Sequence, residues 1–204
     1  MKKIKICGLT RKEDILTVNE FQPDYIGFVF APGRKRTVSK ETAKYLKSLL
    51  LPEIRAVGVF LNHDREEVIS FAKEGIIDMI QLHGDEDRDY IKDISEYTDI
   101  PIIKAVSAGN RELIQKADEL PAISYLLLDT YDKQITGGTG KTFDWRIIPK
   151  LKTPYFLAGG LNMTNIRSAM QTGAYALDIS SGVETNGLKD REKISEIIKT
   201  VREE

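Results

Sequence analysis

Eight short β-branched or aliphatic runs recur along the chain, each followed by a charged stretch with helical periodicity. The runs cover residues 4–7, 25–30, 56–61, 79–82, 102–106, 125–128, 155–157 and 174–179. Helices are expected near 11–21, 39–50, 64–74, 86–97, 110–118, 144–151, 163–172 and 190–202. A repeat of about 21–30 residues has room for strand, loop, helix and loop, and for little else. Strands alternating with helices imply βαβ units and a parallel sheet. Eight units in succession favour closure into a (β/α)8 TIM barrel of the α/β class. An open doubly wound sheet carries a glycine-rich dinucleotide turn after its first strand, whereas the turn here is Cys7-Gly8-Leu9-Thr10. A chain of 204 residues is near the lower size of roughly 200 for such barrels. A single domain over 1–204 is therefore expected.

Composition narrows the function classes. Apolar residues make up 41% of the chain, enough for a sizeable core, and the net charge is −1. A nucleic-acid or membrane surface needs a basic excess, and the one basic cluster, Arg34-Lys35-Arg36, is too short to track a phosphate backbone. The single cysteine permits no intramolecular disulfide. The opening residues Met1 to Ile6 turn polar too soon for a signal peptide, and no apolar run reaches the ~18–20 residues of a membrane span. A cytoplasmic protein acting on a small molecule, as monomer or homodimer, is the expectation.

In a barrel the chemistry sits at the C-terminal ends of the strands. Those ends hold Cys7-Gly8, His83-Gly84, Asp129-Thr130, Gly159-Gly160 and Ser180-Ser181. Strand alternation puts Lys5 below Cys7 on the same face. A neighbouring ammonium lowers a thiol pKa, so Cys7 is expected to serve as a general base. Asp129 ends an apolar strand and is followed by a glycine-rich loop rather than a helix, which favours a site residue over a cap. Burial there raises a carboxyl pKa, as suits a general acid. Gly159, Gly160, Ser180, Ser181 and Gly182 follow strands 7 and 8, where barrels frequently bind phosphate. One of Arg34 and Arg36 is suited to hold a carboxylate bidentately. The same parity argument turns Gln81, His83, Lys104 and Asp178 inward, with Lys5, Lys104, Asp129 and Asp178 in one charge network. The segment 131–142 lacks the spacing of a phosphate-binding P-loop and is expected to be a mobile loop over the site.

Together these residues carry a resemblance. Lys5-Ile6-Cys7-Gly8, Gly27-Phe28-Val29-Phe30, Gln81-Leu82-His83-Gly84, Leu127-Leu128-Asp129, Gly137-Gly138-Thr139-Gly140-Lys141-Thr142, Gly159-Gly160-Leu161-Asn162 and Asp178-Ile179-Ser180-Ser181-Gly182-Val183-Glu184 run in order through the whole chain. The set resembles the phosphoribosylanthranilate isomerases of tryptophan biosynthesis. The resemblance implies an aldose–ketose isomerase performing an Amadori rearrangement, with Cys7 as base and Asp129 as acid. It implies Arg36 on the substrate carboxylate and the loops at 159–160 and 180–182 on the phosphate. Asp178 is expected as a further substrate contact, with Lys5, Gln81 and His83 in support, and the resemblance implies a reaction without metal or cofactor. Thr37 stands where the family often has an aromatic residue, and Ala158 where it often has serine. Two rivals remain at this level. One is the related isomerase of histidine biosynthesis, which carries an aspartate at the position of Cys7. The other is a non-catalytic barrel that binds a sugar phosphate.

Overall fold

The computed structural model of the chain describes residues 1–130 and 142–203. Eight parallel strands close into a barrel in chain order: β1 Lys3–Cys7, β2 Tyr25–Val29, β3 Arg55–Phe60, β4 Met79–Leu82, β5 Ile102–Ser107, β6 Tyr125–Asp129, β7 Tyr155–Leu157 and β8 Ala176–Ile179. The expected strands all form, with ends shifted by at most two residues. The helices are α1 Lys12–Phe21, α2 Lys40–Ser48, α3 Arg65–Lys73, α4 Arg88–Tyr97, α5 Arg111–Asp118, α6 Ile166–Met170 and α7 Arg191–Arg202. Their starts are local sequence effects. Ser39, Asp87, Asn110 and Asp190 each accept a hydrogen bond from a first-turn N–H, satisfying donors that have no intrahelical partner.

Two expectations about helices need correction. The stretch 144–151 forms only the 3-10 turn Trp145–Ile147. Pro149 and Pro154 border it, and proline cannot donate to a helical ladder. The helix expected over 163–172 contracts to α6. A two-strand hairpin, β9 Glu184–Thr185 and β10 Leu188–Lys189, lies after β8. Its Asn186-Gly187 turn has φ of 53° and 79°, the left-handed pair that a tight hairpin requires.

Two apolar cores result. The larger lies between strands and helices and includes Ile6, Phe28, Phe60, Leu82, Leu126 and Ile179. The smaller fills the barrel with Tyr25, Val57, Met79, Ile103, Ala105, Leu127 and Phe156. Tyr25 and Tyr175 close its lower end with their hydroxyls 3.0 Å apart. Membership of these cores fixes which way each strand faces. Ile103 lies in the inner core, with Gln81 and Tyr125 as its register partners. Lys104 therefore faces outward, contrary to the inward orientation expected above. Its ammonium donates to Glu86 and to the Gly84 carbonyl, both at 2.7 Å. That buried pair ties the rim after β4 to β5 and takes no part in an inner charge network.

Candidate active site

The barrel mouth is built on Cys7. Its register partner is Gly27, and a Cβ on Gly27 would lie 2.6 Å from the Cys7 Sγ. The thiol thus occupies space that only a glycine on β2 leaves open. Gly8, at φ 84°, turns the chain sharply while its N–H donates to the Gly27 carbonyl at 2.9 Å. Any side chain on Gly8 would overlap the Arg36 Cδ, so Arg36 passes directly over the turn beside Cys7.

Below Cys7, Lys5 is wholly buried and donates to Asp178 Oδ2 at 2.8 Å across the β1–β8 seam. Burial alone would discharge this ammonium, but the Asp178 carboxylate holds its pKa above the ordinary lysine value. Lys5 also lies beside the thiol, as expected. Its effect there is outweighed: burial pushes the Cys7 pKa up, with Lys5 opposing and Asp178 reinforcing the rise. The expected lowering toward neutrality is therefore corrected, because the Lys5 charge is already spent on Asp178 and the thiol lies nearly out of water.

On the facing wall, burial raises the pKa of Asp129, with His83 opposing. His83 Nε2 stands 3.6 Å from Asp129 Oδ2, and burial lowers its own pKa. The Gln81 amide nitrogen sits 2.9 Å from His83 Nδ1. An amide nitrogen only donates, so in this arrangement Nδ1 is the acceptor and the neutral ring carries its proton on Nε2, the nitrogen nearer Asp129. Lys5, Gln81, His83, Asp129 and Asp178 thus share the inner face with Cys7. On this inner face Gln81 Oε1 and Asp178 Oδ1 are buried and have no hydrogen-bond partner among the described residues.

The loops after β7 and β8 form a second corner. Gly159 and Gly160 have φ of 86° and 68°, a conformation that glycine adopts without strain. A side chain on Gly159 would crowd Thr130, next to Asp129. The Gly160 carbonyl accepts from Asn162 Nδ2 at 2.9 Å and Asn165 Nδ2 at 3.0 Å, which fixes the peptide that follows. Gly182 packs on the Leu161 carbonyl with no room for a Cβ. Ser180 Oγ donates to the Cys7 carbonyl at 3.0 Å. Among the described residues the N–H groups of Gly160, Ser181 and Gly182 have no backbone acceptor.

Arg34 and Lys35 are exposed, while Arg36 is half-buried. The Arg36 Nε and Nη2 donate to the two Glu184 oxygens at 2.6 and 2.8 Å. Lys189, on β10, donates to Glu184 at 2.6 Å and to the Ser180 carbonyl at 3.0 Å. Neither Glu184 nor Lys189 was expected at the site. The Asn186-Gly187 dipeptide between them was the available signal, since it folds both back under Arg36. The glycine-rich segment expected to cover the mouth lies outside the described residues over 131–141.

The chain as a whole is similar to known proteins. Residues 4–200 match the family model of N-(5'-phosphoribosyl)anthranilate (PRA) isomerase. The N-(5'-phosphoribosyl)anthranilate isomerase of Endomicrobium trichonymphae is 45% identical, covering 99% of each chain. The crystal structure of phosphoribosyl anthranilate isomerase from Thermotoga maritima aligns with a TM-score of 0.87 at 36% identity over 100% of each chain. A phosphoribosyl anthranilate isomerase in complex with reduced 1-(o-carboxyphenylamino)-1-deoxyribulose 5-phosphate aligns at 0.83 and 34% identity, again over 100% of each chain. Matched by the family model over residues 4–200 and by relatives along its whole length, the chain belongs to the phosphoribosylanthranilate isomerase family.

Proposed function

We infer that this chain is an aldose–ketose isomerase, an intramolecular oxidoreductase, that converts N-(5-phosphoribosyl)anthranilate to 1-(o-carboxyphenylamino)-1-deoxyribulose 5-phosphate in tryptophan biosynthesis. The observation that carries the reading is the pairing of Cys7 with Asp129 in one mouth, the carboxyl held protonatable by burial. The Asp129 carboxyl gives its proton to the furanose ring oxygen. The C1′–O bond breaks, and the nitrogen lone pair forms the C1′=N iminium. The Cys7 thiolate then takes the C2′ proton. The electron pair left behind forms C1′=C2′ and neutralises the iminium, which serves as the electron sink. The enolamine tautomerises, losing the proton on O2′ and gaining one at C1′, to give the ketone. Asp129 ends as carboxylate and Cys7 as thiol, so one proton returns to Asp129 and one leaves Cys7 between turnovers.

The remaining groups bind. Arg36 holds the anthranilate carboxylate, and the N–H groups of Gly160, Ser181 and Gly182 hold the phosphate with the aid of the Ser181 hydroxyl and the close approach at Gly159, while Ser180 pins the turn to the Cys7 carbonyl. Asp178 has one oxygen with capacity for a ribose hydroxyl. Lys5 holds Asp178, and Gln81 orients His83 toward Asp129. Every group in this reading comes from one chain, a single catalytic domain over 1–204, so it holds for monomer and homodimer alike. No helix among the described residues is long and apolar enough to cross a membrane. The test is the loss of phosphoribosylanthranilate fluorescence with purified protein. Turnover is expected; none under conditions where a relative turns over contradicts the reading.

A further inference from the structure

A guanidinium has two hydrogen-bonding edges, the side edge of Nε and Nη2 and the end edge of Nη1 and Nη2. In this chain Glu184 takes the side edge of Arg36 at 2.6 and 2.8 Å, and no hydrogen bond from Nη1 is formed among the described residues. The Arg36 stem is trapped at the same time against Gly8. The arginine is therefore fixed at both its aliphatic and its charged end, with one edge left to offer. A lone Arg–Glu pair would be neutral and would not favour an anion. Lys189 corrects this, because its buried ammonium shares Glu184 Oε1 at 2.6 Å and leaves the three groups with a net charge of about +1. The Lys189 bond to the Ser180 carbonyl joins this cluster to the turn that begins the proposed phosphate corner.

We propose that Glu184 is a positioning residue that, with Lys189, presents the end edge of Arg36 to the substrate carboxylate and so selects an aryl carboxylate over a neutral aryl group. The proposal rests on the reading of Arg36 given above. Glu184 touches no substrate in it; it acts through Arg36, on binding more than on the acid–base steps.

The experiment compares two competitive inhibitors, reduced 1-(o-carboxyphenylamino)-1-deoxyribulose 5-phosphate and its anilino counterpart without the carboxylate, on purified wild type, Glu184→Gln, Arg36→Ala and the double variant. Wild type is expected to prefer the carboxylate form. Glu184→Gln is expected to lose about tenfold of that preference and to raise KM by a similar factor while kcat moves far less. The double variant is expected to be no worse than Arg36→Ala, since the two residues act as one unit. Glu184→Asp, which keeps the charge but withdraws it by one carbon, lies between and serves in place of Glu184→Gln should that variant fail to fold. A wild-type preference in the Glu184 variants alongside a lost preference in Arg36→Ala overturns the proposal alone. So does a Glu184 effect that adds in full to that of Arg36→Ala. An unchanged preference in Arg36→Ala overturns the reading of Arg36, and the proposal with it.

Discussion

At the scale of single residues, the proposed acid and the proposed base are both shifted upward by burial, and this sets the expected shape of the pH profile. Asp129 rises from the ordinary value of 3.8 and Cys7 from 9.0. The reacting form needs Asp129 protonated and Cys7 ionised, whereas with the thiol the weaker acid the commoner singly protonated form is the reverse. The two forms differ only in where one proton sits, so their ratio does not change with pH. kcat/KM is therefore expected to rise as pH passes up through the Asp129 pKa, hold level, and fall above the Cys7 pKa. The acid limb should stand above the ordinary aspartate range and the alkaline limb above the ordinary cysteine value. An alkaline limb below that value, measured on kcat/KM from pH 5 to 10, would show that Lys5 and not burial governs the thiol. The position of the two residues at the barrel rim was legible in the sequence, because each ends a strand run. The sign of the Cys7 shift was not, since it depends on how completely Asp178 engages Lys5, across 173 residues of sequence.

At the scale of elements, strand existence was legible and strand facing was less so. Strands 1 and 4 alternate polar and apolar residues, and Lys5, Cys7, Gln81 and His83 were assigned inward as they are found. Strand 5 begins with two isoleucines, and a strand buried on both faces reads as a continuous apolar run. Parity then has no anchor, which is why Lys104 was misplaced. The short turn at Trp145–Ile147 had a helical pattern of charges, but Pro149 limits how far a helix could extend. The fit of β2 against β1 makes a sharp prediction. Gly27→Ala places a methyl 2.6 Å from Sγ, so the thiol must move or the strands must separate. A loss of about 1–3 kcal/mol in unfolding free energy is expected from overpacking, together with a fall in kcat larger than in KM. A denaturant melt and steady-state rates check it; an unperturbed kcat would mean that the thiol position tolerates the shift.

At the scale of the whole molecule, the Lys5–Asp178 pair sits where the first strand meets the last to close the barrel. Removing one partner strands a buried charge, so Lys5→Met is expected to cost about 3–5 kcal/mol of unfolding free energy. Replacing both partners by apolar residues should recover much of that loss, without recovering activity, because Asp178 is also proposed to bind the ribose. A double variant no more stable than Lys5→Met would mean that the pair does more than satisfy itself. The eightfold repeat made closure legible, and the rim residues followed from closure. The hairpin carrying Glu184 and Lys189 did not follow, since it departs from the repeat and works through its fold rather than its periodicity.

The central claim is that Cys7 and Asp129 divide the acid–base work of one isomerisation. Its most direct test is the single-turnover rate of phosphoribosylanthranilate consumption by wild type, Cys7→Ala and Asp129→Asn, with each variant shown to be folded by its melt. Both substitutions are expected to slow the reaction about 10²- to 10⁴-fold, the usual share of a general acid or base. A rate near wild type in either folded variant would remove that residue from the chemistry and contradict the account.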